Sequence, residues 1–234
     1  MGYSGFRVIK EGLFGQKGWK PVWRDPPPQP GYDIVIVGGG PAGLSAATHL
    51  RRAGVGSVVV LERESTAGGI PRHCGHYPFG LREFKRLMKG PDYARRLVSE
   101  AKAAGVEICT GVTVAALHPG PRLEIATARG LGEITASLVL LATGVRETSR
   151  AARLIGGTKP AGVMTTGTLQ SMVYLDRLRP FRRPVILGTE LVSFSAIMTC
   201  RHLGIQPVGM IEPNNRATAR WPTSQYPRLA GVPL

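Results

Sequence analysis

Three glycines and one acid carry the strongest chemical signal in the chain. Gly38, Gly40 and Gly43 form Gly-x-Gly-x-x-Gly, with Pro41 and Ala42 in the last gap. The apolar run Ile34-Val35-Ile36-Val37 leads into them, and the small residues Leu44-Ser45-Ala46-Ala47 follow. That order predicts a buried strand, a tight turn and a helix start. A helix start offers N–H groups and a positive dipole end to a pyrophosphate. Gly38 permits the turn, Gly40 admits the phosphates to the backbone, and Gly43 lets helix and strand pack closely. The next predicted strand, Ser57-Val58-Val59-Val60-Leu61, ends on Glu62, about 20 residues past the glycines, where ribose hydroxyls are expected.

A second group of reactive side chains comes next. Arg63 stands directly after Glu62, where it either stacks on adenine or is solvated. Gly68-Gly69-Ile70-Pro71-Arg72-His73-Cys74-Gly75-His76 then brings a guanidinium, two imidazoles and a thiol together. Arg72 can neutralise a phosphate or a substrate carboxylate through paired hydrogen bonds. His73 is a candidate contact to substrate or cofactor. A dithiol relay needs two sulfurs that approach each other, and Cys74 has no cysteine nearby. Three ligands so close in sequence do not follow the paired spacing of zinc sites, so no metal is assigned.

The elements that position these groups follow from periodicity. Leu81–Met88 reads as a short amphipathic helix, and Pro91–Ala104 as a second, stopped by Gly105. Val106–Ile108 and Val112–Val114 read as short strands. Arg122–Gly130 and Gly132–Ala136 read as a hairpin, and Leu138–Gly144 as a separate apolar strand. A parallel unit, a hairpin and a returning strand suit a dinucleotide-binding sheet with an inserted meander. The layout then begins again. Pro184-Val185-Ile186-Leu187-Gly188-Thr189-Glu190-Leu191-Val192-Ser193 repeats strand, turn and helix, and Pro207–Glu212 repeats the second strand with its terminal acid. Glu190 puts negative charge where a backbone should meet a pyrophosphate, which disfavours NAD(P) there.

Composition bounds the remaining classes. The 234 residues hold one large α/β domain or one and a half, and 43% apolar content suits a packed core. No stretch is long and apolar enough to span a membrane. The start Met1-Gly2-Tyr3-Ser4-Gly5-Phe6-Arg7 lacks the apolar core of a signal peptide, which points to the cytoplasm. The net charge of +15 comes from scattered arginines without interleaved aromatics, so nucleic acid is not the expected partner. A basic surface also suits an anionic dinucleotide, an acidic substrate or an acidic partner subunit. Residues 1–31 read as an arm with a Pro-rich linker, either disordered or wrapped on a partner through Trp19 and Trp23.

Three blocks carry a family resemblance: Gly68–His76, Ala142-Thr143-Gly144-Val145-Arg146-Glu147 and Gly162-Val163-Met164-Thr165-Thr166-Gly167. From about residue 33 to 234 the chain resembles the FAD-dependent pyridine nucleotide–disulfide oxidoreductase-like flavoproteins. Within them it is most similar to the FAD subunits of hydrogen cyanide synthase, opine oxidase and D-hydroxyproline or proline dehydrogenases. Residues 1–37 resemble the amino-terminal arm of the sarcosine oxidase beta subunit instead.

The resemblance implies a Rossmann-like FAD-binding domain with an inserted β-meander, plus the first half of a second Rossmann-like domain. The corresponding divisions are an arm over 1–31, the FAD-binding domain over 32–155, a connector over 156–183 and the partial second domain over 184–234. Family roles fall on Gly38, Gly40 and Gly43 for the pyrophosphate and on Glu62 for the ribose. They fall on Gly69 along the cofactor, on Val114 against adenine, and on Thr143 and Gly144 where the chain passes the cofactor again. In the family a last piece of the FAD domain, with an acid that holds the ribitol, lies beyond the stretch matched here.

The implied activity is an FAD-dependent oxidoreductase subunit that oxidises a C–N bond of an amino acid, imino acid or secondary amine. Electrons would pass to a partner subunit or another acceptor. No residue presents itself as general base. Two alternatives stand beside this: a truncated, non-catalytic nucleotide-binding module, and a sarcosine oxidase beta-like subunit.

Overall fold

The computed structural model describes residues 31–158 and 161–234. The arm over 1–30, with Trp19 and Trp23, lies outside the described residues. β1 (Gly31–Val37) leads through the glycine turn into α1 (Pro41–Arg52), and β2 (Val58–Glu62) returns beside β1. A single 3₁₀ turn (Ile70–His73) and a short helix, α2 (Leu81–Phe84), precede α3 (Gly90–Ala103). β3 (Glu107–Thr110) adds to the outside of β2. A meander follows, made of β4 (Thr113–His118), β5 (Arg122–Thr127) and β6 (Gly130–Leu141). The six strands form one sheet in the order β3-β2-β1-β6-β5-β4, parallel from β3 to β6 and antiparallel beyond.

Alternation along the strands builds two apolar layers. Ile36, Val58 and Val60 meet Leu44 and Ala47 of α1 and Tyr93, Leu97 and Ala101 of α3. Val35, Val59 and Leu61 face the other way, onto Leu123, Ile125 and Ile134 of the meander. Burial on both faces is why β1 and β2 read as continuous apolar runs. Each fully buried Val or Ile contributes roughly 1.5–3 kcal/mol. This is a Rossmann-like α/β layout with an antiparallel meander.

The second strand–turn–helix unit comes after it. α4 (Thr166–Tyr174) leads to β7 (Val185–Leu187), α5 (Leu191–His202) and β8 (Gly209–Ile211), with α6 (Tyr226–Leu229) after them. β7 and β8 pair in parallel, Val185 beside Gly209. Their core gathers Leu169, Val173, Ile186, Phe194, Ile197, Cys200 and Met210.

Beyond shifts of one to three residues at element ends, the structure differs from the sequence reading in four places. Gly31, placed in the linker, is the first residue of β1 and pairs with Thr135. The helix over 81–88 stops at Phe84, because Lys85 turns left-handed (φ 52°) and Met88 instead forms an antiparallel bridge with Phe79. The strand over 112–114 extends from Thr113 to His118. The hairpin strand over 132–136 and the apolar strand over 138–144 are one 12-residue strand, β6. β6 changes partner midway, pairing with β5 through Thr135 and with β1 from Thr135 to Leu141. Its sequence changes from mixed to apolar at that handover.

Candidate functional site: a glycine cradle at the end of the parallel strands

The cradle forms where β1, β2 and β6 end together. Gly38 sits at φ +112°, and a Cβ on it would strike the Ala142 carbonyl oxygen. Ala142 in turn donates its N–H to Val37 O at 2.8 Å, so the β6 exit presses against the turn. Gly43 lies under the same turn. A Cβ there would run into the Gly38 carbonyl oxygen and meet Ile36 Cγ2 at 3.3 Å. Close packing, then, requires both outer glycines.

Gly40 is different. It holds extended backbone at the start of α1, no side chain caps the helix there, and Pro41 occupies the first turn. A Cβ on Gly40 would meet only Gly69 Cα, at 3.9 Å. A glycine stands here although packing does not require one. The open space faces the positive end of a 12-residue helix, as a bound diphosphate would need. Ala42 is exposed beside it.

Glu62 closes the far wall. It is 7% exposed, and its two oxygens each accept one backbone N–H, from Gly39 and Glu64, both at 2.9 Å. A carboxylate offers about four acceptor positions, so two remain for hydroxyl donors. The β3–β4 turn joins this wall, since Val112 donates to Glu62 O at 2.9 Å. Val114, half-buried in β4, comes two residues later. Thr143 and Gly144 are exposed just beyond Ala142, which touches Gly38. Gly68 donates to Gly39 O at 2.7 Å and brings Gly69 (φ +61°) against Gly40. Gly38, Gly40, Pro41, Ala42, Gly43, Glu62, Gly69, Thr143 and Gly144 therefore gather around one opening.

Arg63 is exposed, with Glu64 at 3.8 Å. Arg72 bends back over the turn, donating to Gly69 O at 3.3 Å and lying 3.6 Å from Glu64, its side chain only 15% exposed. His73 Nδ1 is buried without a hydrogen-bond partner. Burial and the neighbouring Arg72 charge lower the His73 pKa below the usual imidazole range, against opposing pulls from Gln170 and Glu147. The ring is therefore neutral at neutral pH.

Cys74 is buried, and burial pushes its thiol up to about 11. Its Sγ lies 3.5 Å from Ile70 O and 3.7 Å from Gln170 Oε1. Gln170 donates to Ser195 Oγ at 3.1 Å, and Ser195 donates to Val192 O at 2.6 Å. A protonated, hydrogen-bonded thiol is a poor nucleophile. Cys74 serves here as the first link of a polar chain that joins the 70–76 segment to α4 and α5. Gly75 completes the joint, because any Cβ on it would collide with the Tyr174 ring. Among the described residues no group of three His, Cys, Asp or Glu side chains could hold a metal ion.

Sequence reasoning missed Gln170, which sits 3% exposed in α4. It also missed Glu147, which accepts the Gly167 N–H at 2.7 Å in the first turn of α4. A glutamine directly after Leu169, in a helix whose other buried residues are Leu169 and Val173, was the available signal. A cavity lies elsewhere. It is an open groove of about 1010 Å³ between Arg216 and Leu234, and its lining shares no residue with the cradle. We assign the site by the chemistry of the glycine turn, because volume alone supplies no charge complement to a ligand.

Known proteins bear on this geometry directly. The model of the pyridine nucleotide-disulphide oxidoreductase family matches residues 32–220. The chain belongs to that family. An opine oxidase subunit of Rhizobium meliloti is 26% identical over 183 residues, covering 77% of this chain and 38% of that protein. Hydrogen cyanide synthase subunit HcnB of Pseudomonas aeruginosa is 34% identical over 189 residues, covering 76% and 38%. Sarcosine oxidase subunit beta of Rhizobium meliloti is 43% identical over 70 residues, covering 30% and 17%. The chain thus spans well under half the length of these relatives. L-proline dehydrogenase from P. horikoshii shares the fold, with a TM-score of 0.63 at 21% identity, over 80% of this chain and 37% of that one. Family membership supports a flavin as the group for this cradle. Among the described residues no helix is long and apolar enough to cross a membrane.

Proposed function

We propose that the chain is the FAD-binding part of an oxidoreductase that removes two electrons from a C–N bond of an amino acid, imino acid or secondary amine. The open seat at Gly40, at the uncapped start of α1, is the observation that carries this reading. Gly38 and Gly43 shape the seat, and Glu62 offers its two free acceptor positions to the adenosine ribose. Val114 lies toward adenine, and Gly69, Thr143 and Gly144 lie along the cofactor. Arg72 borders the phosphates, Arg63 lies next to Glu62 on the adenosine side, and His73 contacts substrate or flavin. A bound flavin supplies the two-electron acceptor; the chain's own residues bind it, orient it and hold it away from water.

The domain division proposed is 32–155 for the flavin, 156–183 as connector and 184–234 as part of a second nucleotide-type unit. The relatives from opine oxidase, hydrogen cyanide synthase and sarcosine oxidase are all named as subunits, which supports a hetero-oligomeric partner here. Electrons leave to that partner or to another acceptor rather than to NAD(P), because Glu190 stands in the second turn. We place the protein in the cytoplasm.

The test is anaerobic reduction of the purified, flavin-loaded protein. Flavin colour bleaches with a secondary amino acid such as proline or sarcosine, and stays with NADH. Bleaching by NADH alone overturns the acceptor assignment. A protein that never retains flavin overturns the enzyme reading in favour of a non-catalytic module.

A further inference from the structure

The two strand–turn–helix units of this chain superimpose in sequence at a constant spacing. Gly188, Thr189, Glu190, Ser193 and Glu212 each stand 150 positions after Gly38, Gly39, Gly40, Gly43 and Glu62. The first unit is thus an internal reference for the second. At Gly40 the seat is open. At Glu190 the carboxylate folds back over Gly188, and its Oε2 accepts the Ser193 hydroxyl at 3.0 Å, inside the first turn of α5. Arg153 approaches Glu190 Oε1 to 3.5 Å from the segment before α4. Burial works against the Glu190 charge, but its own backbone N–H, Ser193 and Arg153 prevail and hold it below the usual carboxylate range.

The terminal acids differ as well. Glu62 accepts two backbone N–H groups. Glu212 accepts four donors. Thr189 and Thr218 hydroxyls reach Oε2, the latter at 3.3 Å, while the Asn214 backbone N–H (3.0 Å) and side-chain amide (2.6 Å) reach Oε1. That fills about all the positions a carboxylate has, so no acceptor is left for a ribose diol. Thr218 also donates its N–H to Thr189 Oγ1 at 2.8 Å, which locks the turn to the segment after β8.

We propose that the second nucleotide turn is sealed from within: Glu190 takes the diphosphate seat, and Thr189, Thr218 and Asn214 consume the ribose acid, Glu212. The unit has become a structural joint, with Arg153 tying the connector to it. Glu190 is then the residue that sets acceptor specificity, by barring a pyridine nucleotide. This deepens the proposed function, whose exclusion of NAD(P) it explains.

Hydrogen exchange on the full chain tests it, since that method reads the two turns separately. ADP-ribose and NADH serve as probes, with and without added FAD. In the wild type neither probe protects amides 188–193. In T189G/E190G/S193G, which rebuilds the glycines of the first turn, ADP-ribose protects those amides, and its affinity there rises at least about tenfold. Protection of 188–193 in the wild type overturns the proposal, and this arm needs no variant to fold. A folded triple variant that still shows no protection overturns it too. Failure of FAD to protect amides 38–43 would strike the flavin reading and leave this one standing.

Discussion

Exchanging the two turns' key residue tests whether the open seat at Gly40 is what holds the cofactor. Gly40→Glu puts into the first turn the side chain that the second carries. Gly40 has ordinary extended backbone (φ −80°), and a Cβ there meets only Gly69 Cα, at 3.9 Å, so the variant folds without strain. Its carboxylate enters the seat of a diphosphate. Two unit charges about 4 Å apart at an effective dielectric near 20 interact by about 4 kcal/mol. Gly40 is only half-buried, so water screens part of this, and we expect a loss of about 2–4 kcal/mol, roughly 30- to 1000-fold in affinity. The assay is flavin absorbance per protein after gel filtration, with the dissociation constant from fluorescence quenching. Gly40→Ala is the control: its methyl enters the same seat without a charge, so it weakens flavin binding by steric contact alone and by less than Gly40→Glu. A G40E protein with a full complement of flavin refutes the reasoning. So does a G40A protein that loses as much as G40E.

Three further outcomes rest on the same geometry. Gly43→Ala forces a methyl into the Gly38 carbonyl oxygen and within 3.3 Å of Ile36 Cγ2, and destabilises the fold by about 1–3 kcal/mol in urea unfolding, with flavin loss alongside. Thr165 caps α4 by accepting the Thr168 N–H at 3.3 Å, so Thr165→Ala costs about 1 kcal/mol by the same measurement. Burial raises the Cys74 and Cys200 thiols from 9.0 to about 11, and Tyr93 and Tyr174 shift upward for the same reason. Groups raised by folding stabilise fully below their unfolded values, so stability falls as pH climbs from about 9 toward 11, and Cys74→Ser with Cys200→Ala flattens that fall.

The legible parts of this protein are those where backbone conformation or close approach leaves one residue type. Gly38 must adopt φ +112°, and Gly43 must have no Cβ, so their spacing survives in the sequence as a motif. Glu62 is legible because the end of a fully buried strand is a fixed place. Elements whose limits depend on a distant partner were not. β6 looks like two strands, since its sequence changes character where its neighbour changes from β5 to β1. The helix over 81–88 has adequate periodicity, yet Met88 finds Phe79 across a turn and ends it early.

The site shows the same division. The cradle is mostly local, formed within the 32 residues from Gly38 to Gly69 and closed by the β6 exit at Ala142. The polar chain from Cys74 through Gln170 to Ser195 spans 121 positions, and no spacing rule anticipates it. Cys74 bears the consequence. Read alone, a cysteine after a Gly-Gly pair near a flavin turn invites a redox role. In place, its thiol is buried, held protonated and engaged with Gln170, and its work is to couple the cofactor segment to α4 and α5. A reactive residue type becomes a structural one when burial raises the energy of its charged form. Glu190 makes the complementary case. There a charge is kept, by Ser193 and Arg153, in the place where an absent side chain would have let a ligand in.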